Sequence, residues 1–249
     1  MKLDTIIAVR DNKTVYRDGD KCIKLFSADY SKADVLNEAL NHALLEETAL
    51  HIPRIHEVLT IDGKWAIVSD YIEGKTLAEL VREDPARRDE YMDLFVNLQL
   101  QVHAQVCPGL KKLKDKMNAK IDMANLDAAS KYELHTRLEG MPKHKKVCHG
   151  DFNYSNIILT EDGVPYILDW AHATQGNASA DAARTYLLFW LSGDITAADQ
   201  YLTLFCERSN TDRRYVQKWM PIVAASQSVK GNPNERQFLL SWVNVMDYE

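Results

Sequence analysis

The chain holds little of what specialised scaffolds require. Ten glycines and seven prolines in 249 residues exclude a collagen-like or low-complexity composition. The four cysteines, Cys22, Cys107, Cys148 and Cys206, stand far apart with no Cys-x-x-Cys pair, which excludes a disulfide scaffold and reads as reduced, buried thiols in the cytoplasm. Long hydrophobic runs are missing too. The longest, at 157–159 and 186–192, fall far short of the roughly 18–20 residues that span a bilayer. The opening MKLDTIIAVRDNK has no h-region or cleavage site of a signal peptide, so no membrane is expected. There is no excess of positive charge: the formal net charge of −6 argues against nucleic acid as a partner and is compatible with a cationic ligand. What remains is ordinary globular usage, 46% hydrophobic and 27% charged, in a length that suits one or two domains.

The first seventy or so residues read as β-rich. Asp18-Gly19 and Asp62-Gly63 are each flanked by short apolar or β-branched runs, a strong local hairpin signal. They predict strands at 14–17 and 21–26 and at 55–61 and 64–71, with a further strand near 5–9. Between the hairpins, residues 31–47 place Val35, Leu36, Ala39, Leu40, Ala43 and Leu44 at helical spacing, predicting an amphipathic helix of about four turns. From Gly74 onward the pattern turns helical, with candidates at 77–82, 87–105, 118–138, 180–191, 197–208, 213–226 and 234–247; the block 147–170 reads as loop and hairpin. The composition shift near 71–75 divides the chain into an N-terminal lobe, 1–72, and a C-terminal lobe, 73–249, with a cleft expected between them.

Chemistry concentrates in VCHGDFNYSNIILTEDGVPYILDWA. Its Asp162-Gly163, taken as a two-residue hairpin loop, places Leu159 opposite Tyr166, Ile157 opposite Leu168 and Asn156 opposite Asp169. Pro165 then falls at a non-hydrogen-bonded position, where its missing N–H does no harm. An amide oxygen and a carboxylate so meet at one end of a ribbon, with Cα atoms about 4.5–5.5 Å apart. Two hard oxygen donors without histidine or cysteine suit Mg²⁺ that keeps waters and phosphate oxygens. Asp151 lies five residues before Asn156. A carboxylate beside Mg–nucleotide can accept a hydroxyl proton while the terminal phosphoryl group leaves.

His149-Gly150-Asp151, then Asn156, then Asp169, resemble the catalytic and metal motifs of the aminoglycoside phosphotransferase and choline kinase family, whose fold is protein-kinase-like. The resemblance implies an α+β fold: a small N-terminal lobe with a five-stranded antiparallel sheet and one helix, and a larger, mainly helical C-terminal lobe. It implies Asp151 as catalytic base and Asn156 and Asp169 as Mg²⁺ ligands. Lys24 on the third strand and Glu38 on the inserted helix resemble the family's phosphate-gripping lysine and its ion-pair partner. Ser69-Asp70-Tyr71-Ile72-Glu73-Gly74 resembles the segment between the lobes, whose backbone at Asp70 and Ile72 would meet the adenine edge, with Ile158 and Leu168 lining the adenine side. Asp181 resembles an aspartate that braces the catalytic loop, and His149 reads as a structural histidine. These motifs span about 15–188, and the remainder matches by helical character only. Two departures stand out: Arg10-Asp11-Asn12-Lys13 has no glycine, so there is no Gly-rich lid over the phosphates, and Gly150 stands where protein kinases carry an arginine.

The expected activity is therefore transfer of the γ-phosphoryl group of ATP, with Mg²⁺, to a hydroxyl of a small molecule: an aminoglycoside-like, sugar or amino-alcohol acceptor. No nucleic acid, membrane or obligate protein partner is implied. A protein kinase is disfavoured, since only eleven residues separate Asp169 from Asp181 and no Ala-Pro-Glu follows. A nucleotide-binding pseudoenzyme acting as sensor or scaffold is the rival from another class. Lysines at 111–120 and 143–146 read as solvated faces. The aromatics Tyr186, Trp190, Tyr201, Phe205, Tyr215, Trp219, Phe238, Trp242 and Tyr248 read mostly as helix packing, with a quaternary-ammonium cage as the alternative.

Overall fold

The structure is a computed structural model that describes residues 3, 5–10, 12–229 and 233–243. In chain order its elements are β1 (Thr5–Arg10), β2 (Lys13–Asp18), β3 (Lys21–Phe26), α1 (Lys32–Glu46), β4 (Ile55–Ile61), β5 (Lys64–Asp70), β6 (Lys75–Thr76) and α2 (Leu77–Glu83). Then follow α3 (Arg88–Ala104), α4 (Leu113–Met123), α5 (Ala128–Gly140), β7 (Lys146–Cys148), β8 (Ile157–Leu159), β9 (Pro165–Ile167) and β10 (Thr174–Gly176). The chain continues through α6 (Ala178–Leu191), α7 (Ile195–Ser209), α8 (Arg213–Gln217), α9 (Met220–Ser228) and α10 (Pro233–Val243). Two compact units form: residues up to Ala86 with Tyr154–His172, and Arg87–Asn153 with the residues from Ala173 onward. Among the described residues no helix is long and apolar enough to cross a membrane.

The first unit is built on an antiparallel sheet in the order β1-β2-β3-β5-β4. The β4–β5 reversal is the two-residue turn expected: Ile61 pairs with Lys64, and Asp62 and Gly63 both take positive φ, 49° and 77°, the demand of a type I′ turn. At the first hairpin Asp18 itself pairs with Lys21, so Gly19-Asp20 form the loop. Phe26, Ile67, Val35 and Ala39 make a core between sheet and α1. The buried face of α1 carries Val35, Glu38, Ala39 and Leu45, while Leu36 and Leu40 are 44% and 56% exposed. The apolar stripe expected from sequence is thus turned: the spacing from 35 through 38 and 39 to 45 faces the sheet, and it takes a glutamate inside.

The same unit holds a small sheet, β6-β8-β9, and its register corrects the expectation. Ile157 pairs with Ile167, Ile158 with Tyr166 and Leu159 with Pro165, one residue away from the predicted alignment. The reason lies in the turn. The Val164 carbonyl accepts from the Thr160 N–H at 3.1 Å, and the Gly163 N–H donates to the Thr160 carbonyl at 2.9 Å, leaving Glu161-Asp162-Gly163 as a three-residue loop. Gly163, at φ 77°, takes the left-handed position that such a loop requires.

The second unit is a helical assembly with one short ribbon, β7 beside β10. Two predicted helices are each a pair. Residues 118–138 break after Met123, because Asp127 caps a new helix by accepting the Ser130 N–H at 2.9 Å. Residues 213–226 break at Lys218-Trp219, with Pro221 in the first turn of α9, where a missing N–H costs nothing. The predicted 234–247 corresponds to α10; its last four residues, like Tyr248 and Asp11, lie outside the described residues. Tyr201, Phe205 and Trp219 are fully buried. Tyr186, Trp190, Phe238 and Trp242 pack mainly edge-to-face on one another, with Trp190–Trp242 ring centroids 5.6 Å apart.

Candidate active site

In the first unit a chain of charges runs from α1 through the sheet to the turn after β9. Lys24, on β3, has Val15 and Ile67 as its neighbours across the sheet. Its Nζ donates to Glu38 Oε1 at 2.5 Å and to Asp169 Oδ1 at 3.4 Å. Burial works to lower the Lys24 pKa, but attraction from Asp169 and then Glu38 outweighs it and holds the ammonium above its ordinary value. Glu38 is 4% exposed, and its Oε2 has no hydrogen-bond partner among the described residues. Asp169 takes φ 60°, a left-handed conformation uncommon outside glycine and asparagine, of the kind that gathers at functional sites.

Asn156 and Asp169 are brought near one another by the ribbon, though not as opposite residues. The Asn156 carbonyl accepts the Leu168 N–H at 2.8 Å, so Asp169 stands one step beyond that pair. Both donors are hard oxygens, and the positive φ turns Asp169 out of the strand direction. Among the described residues no group of three or more His, Cys, Asp or Glu side chains could hold a metal. Asn156 and Asp169 could hold an ion that prefers hard oxygen ligands, such as Mg²⁺.

Sequence reasoning passed over Lys13. It opens β2 in the glycine-free stretch, and its Nζ donates to Asp169 Oδ2 at 3.1 Å. Two ammonium groups thus flank one carboxylate. The signal available was only a lysine at a strand start, which is common on solvated faces. Of the expected adenine contacts, the Asp70 N–H donates to the Arg54 carbonyl at 2.9 Å and the Asp70 carbonyl accepts the Ser69 hydroxyl at 3.4 Å. The Ile72 N–H makes no hydrogen bond among the described residues. Ile158 and Leu168 are half-buried.

In the second unit His149-Gly150-Asp151 is fastened from beneath by Asp181, on the first turn of α6. Asp181 Oδ2 accepts the His149 N–H at 3.1 Å and Oδ1 accepts the Gly150 N–H at 2.7 Å. Gly150, at φ 79°, lets both N–H groups point one way. His103 Nε2 and Gln99 Nε2, one turn apart on α3, reach Asp181 Oδ2 at 2.9 and 3.3 Å, and Tyr201 donates to Gln99 Oε1 at 2.6 Å. Neither Gln99 nor His103 was singled out from sequence, although they share a helix face at i, i+4, and Tyr201 was read only as helix packing or part of a cage. His149 is fully buried and its Nδ1 accepts the Asp151 N–H at 3.2 Å. Asp151 itself receives Asn153 Nδ2 on Oδ2 at 3.3 Å and Arg184 Nη2 on Oδ1 at 3.2 Å.

Burial alone would raise the Asp181 pKa, but the His103 hydrogen bond and charge, the charge of His149 and the Gly150 N–H together hold it below the ordinary 3.8. A depressed carboxylate stabilises the fold above its unfolded-state pKa, and that contribution is lost as pH falls through the lower folded value. Asp181→Ala, which removes the acceptor of four hydrogen bonds, is expected to cost about 3–5 kcal/mol. Urea unfolding at neutral pH measures this, and the gap to wild type should shrink below the ordinary carboxylate range.

Comparison with known proteins places this geometry. The model of the phosphotransferase enzyme family matches residues 5–219. No curated protein matches the chain by sequence. Among solved structures, a thermostable mutant of aminoglycoside phosphotransferase APH(4)-Ia, in ternary complex with AMP-PNP and hygromycin B, is similar over 96% of this chain and 89% of that one, at 15% identity and TM-score 0.67. Aminoglycoside-3'-phosphotransferase of type VIII is similar over 89% and 93%, at 16% identity and TM-score 0.69. Choline kinase LicA from Streptococcus pneumoniae is similar over 100% and 88%, at 15% identity and TM-score 0.61. These likenesses show the α+β fold expected from the motifs.

Proposed function

The chain belongs to the phosphotransferase enzyme family, a small-molecule kinase by that membership, and from this premise we propose that it transfers the γ-phosphoryl group of ATP to a hydroxyl of a small acceptor. The observation that supports the reading best is the Glu38–Lys24–Asp169–Lys13 chain of charges. Half-buried cations aligned by carboxylates are what a loose phosphoryl transition state asks of a protein, since alignment and charge neutralisation dominate its catalysis. Lys24, oriented by Glu38, grips phosphate oxygens. Lys13 does the same from β2 and takes the part that a glycine-rich lid plays elsewhere. The Asp70 carbonyl and the Ile72 N–H meet the adenine edge, and Ile158 and Leu168 line its face.

Asn156 and Asp169 hold Mg²⁺. When bound, the ion neutralises charge on the transferring group. Asp151 accepts the acceptor's hydroxyl proton, its carboxylate aimed by Arg184 and Asn153 with lone pairs to spare. Asp181 fixes the loop that carries Asp151. In the APH(4)-Ia complex the bound molecules are AMP-PNP and hygromycin B, which supports a nucleotide donor and a small-molecule acceptor. In this reading the protein's partners are ATP and a small hydroxyl-bearing acceptor, met in the cytoplasm.

Calorimetric titration with Mg·AMP-PNP tests the nucleotide half of the proposal. Lys24→Met and Lys13→Ala should each weaken binding by about tenfold or more, the scale of one charge-assisted hydrogen bond. Unchanged affinity in both variants would remove the nucleotide from this cluster.

A further inference from the structure

Arg184 sits one turn after Asp181 on α6 and shares its face. It is 7% exposed. One nitrogen, Nη2, donates to Asp151 Oδ1 at 3.2 Å; the other two, Nε and Nη1, are buried with no hydrogen-bond partner among the described residues. Leaving guanidinium N–H groups buried and unpaired is costly, and an arginine needed only to aim Asp151 requires a single donor. The planar fork is shaped for two oxygens of one oxyanion. The Asp151 carboxylate beside it keeps 27% of its side-chain surface exposed, so the pair has an open side.

A second cation feels the charges of both Arg184 and Asp151. Lys120, on α4, is half-buried, and its ammonium makes no hydrogen bond or ion pair among the described residues. Burial drives its pKa down, the Arg184 charge pushes the same way, and Asp151 pulls against both. Of the other acids that act on Arg184, Asp181 is already spent on four donors, and Glu235, at the start of α10, offsets the positive charge in part. The ring cluster of Tyr186, Trp190, Phe238 and Trp242 is occupied with its own edge-to-face packing, which leaves little of a cage for an ammonium. From the buried guanidinium of Arg184, with two idle donors on a group that touches Asp151, and the unpaired Lys120 of α4, we infer that the acceptor is an anion, a hydroxy acid or sugar phosphate whose oxyanion Arg184 and Lys120 grip. The inference rests on the proposed kinase reading and narrows its substrate class. In the step, the acceptor oxygen bonds to the γ-phosphorus, the bond from that phosphorus to the β,γ-bridging oxygen breaks, ADP leaves, and the hydroxyl proton passes to Asp151.

Matched acceptors decide it: glycerate against glycerol, gluconate and glucose 6-phosphate against glucose, with choline and hygromycin B as cations. ADP release with Mg·ATP and the shift in melting temperature are read for each. The expected result is kcat/KM at least about tenfold higher for an anion than for its neutral partner, with Lys120→Met and Arg184→Gln each narrowing that ratio and Arg184→Lys restoring part of it. The carboxylate and phosphate arms tell which oxyanion is taken. Preference for a neutral or cationic acceptor, a ratio untouched by both neutralising variants, or no anion turned over or stabilising would overturn the inference. In each of those cases, acceptor-dependent ADP release with any neutral or cationic acceptor shows that the kinase reading survives, and its absence together with a lack of thermal protection by Mg·ATP shows that both fail.

Discussion

Asp151→Asn lowers kcat/KM for phosphoryl transfer by about 10²- to 10⁴-fold, the share that a positioned general base supplies, and leaves Mg·ATP affinity near that of wild type. The substitution preserves size, and the amide oxygen still accepts from Arg184 or Asn153, which hold Asp151 at 3.2 and 3.3 Å. What it removes is the capacity to take a proton. The loop itself is fastened through the His149 and Gly150 N–H groups on Asp181, so its position does not depend on the Asp151 side chain. Steady-state kinetics beside a calorimetric titration separates the two quantities. A variant that turns over at the wild-type rate would strip Asp151 of its role, and one that fails to bind nucleotide would move that role from chemistry to binding.

Asp169→Asn is the second large effect, a loss of about 10²- to 10³-fold in turnover, as for removal of one preorganised electrostatic contact to the reacting group. Asparagine is chosen because Asp169 stands at φ 60°, a conformation asparagine tolerates and alanine does not. The fold should therefore hold while the negative charge disappears from between Lys13 and Lys24. Because Glu38 keeps its contact with Lys24 at 2.5 Å, the lysine stays paired and the β3–α1 packing is undisturbed. The loss should deepen at low Mg²⁺, and a titration of rate against Mg²⁺ reads it. Equal Mg²⁺ dependence in variant and wild type would show that Asp169 is not a ligand.

The sheet was legible because its signals are local. A hairpin announces itself in an Asp-Gly pair, and the ends of β3 and β4 follow from the runs beside it. The loop at 149–151 was legible where a motif does the positioning, as Asp181 does indeed fasten the His149 and Gly150 N–H groups. The site was less so where one residue of turn geometry matters: Thr160, Gly163 and Val164 close a three-residue loop, and the neat opposition of Asn156 and Asp169 dissolves into adjacency. Groups recruited from afar left almost no trace. Gln99 and His103 on α3 read as ordinary helix residues until Asp181 is found against them, and nothing near Lys13 points to a residue more than 150 positions away. Arg184 lay in plain view in DAARTYLLF, three residues after Asp181, yet only its burial with two idle donors sets it apart from a surface charge. The α1 stripe misled for the opposite reason: Leu36 and Leu40 look like core but lie exposed, and the buried face takes Glu38 instead.

Phosphorus-31 NMR of the wild-type protein with Mg·ATP and the acceptor panel tests the central claim most directly. The account predicts a new phosphomonoester resonance growing in step with ADP, present with wild type and lost in Asp151→Asn and Asp169→Asn. ATP that stays intact with every acceptor, or that yields only inorganic phosphate at a rate the two variants share, would contradict it.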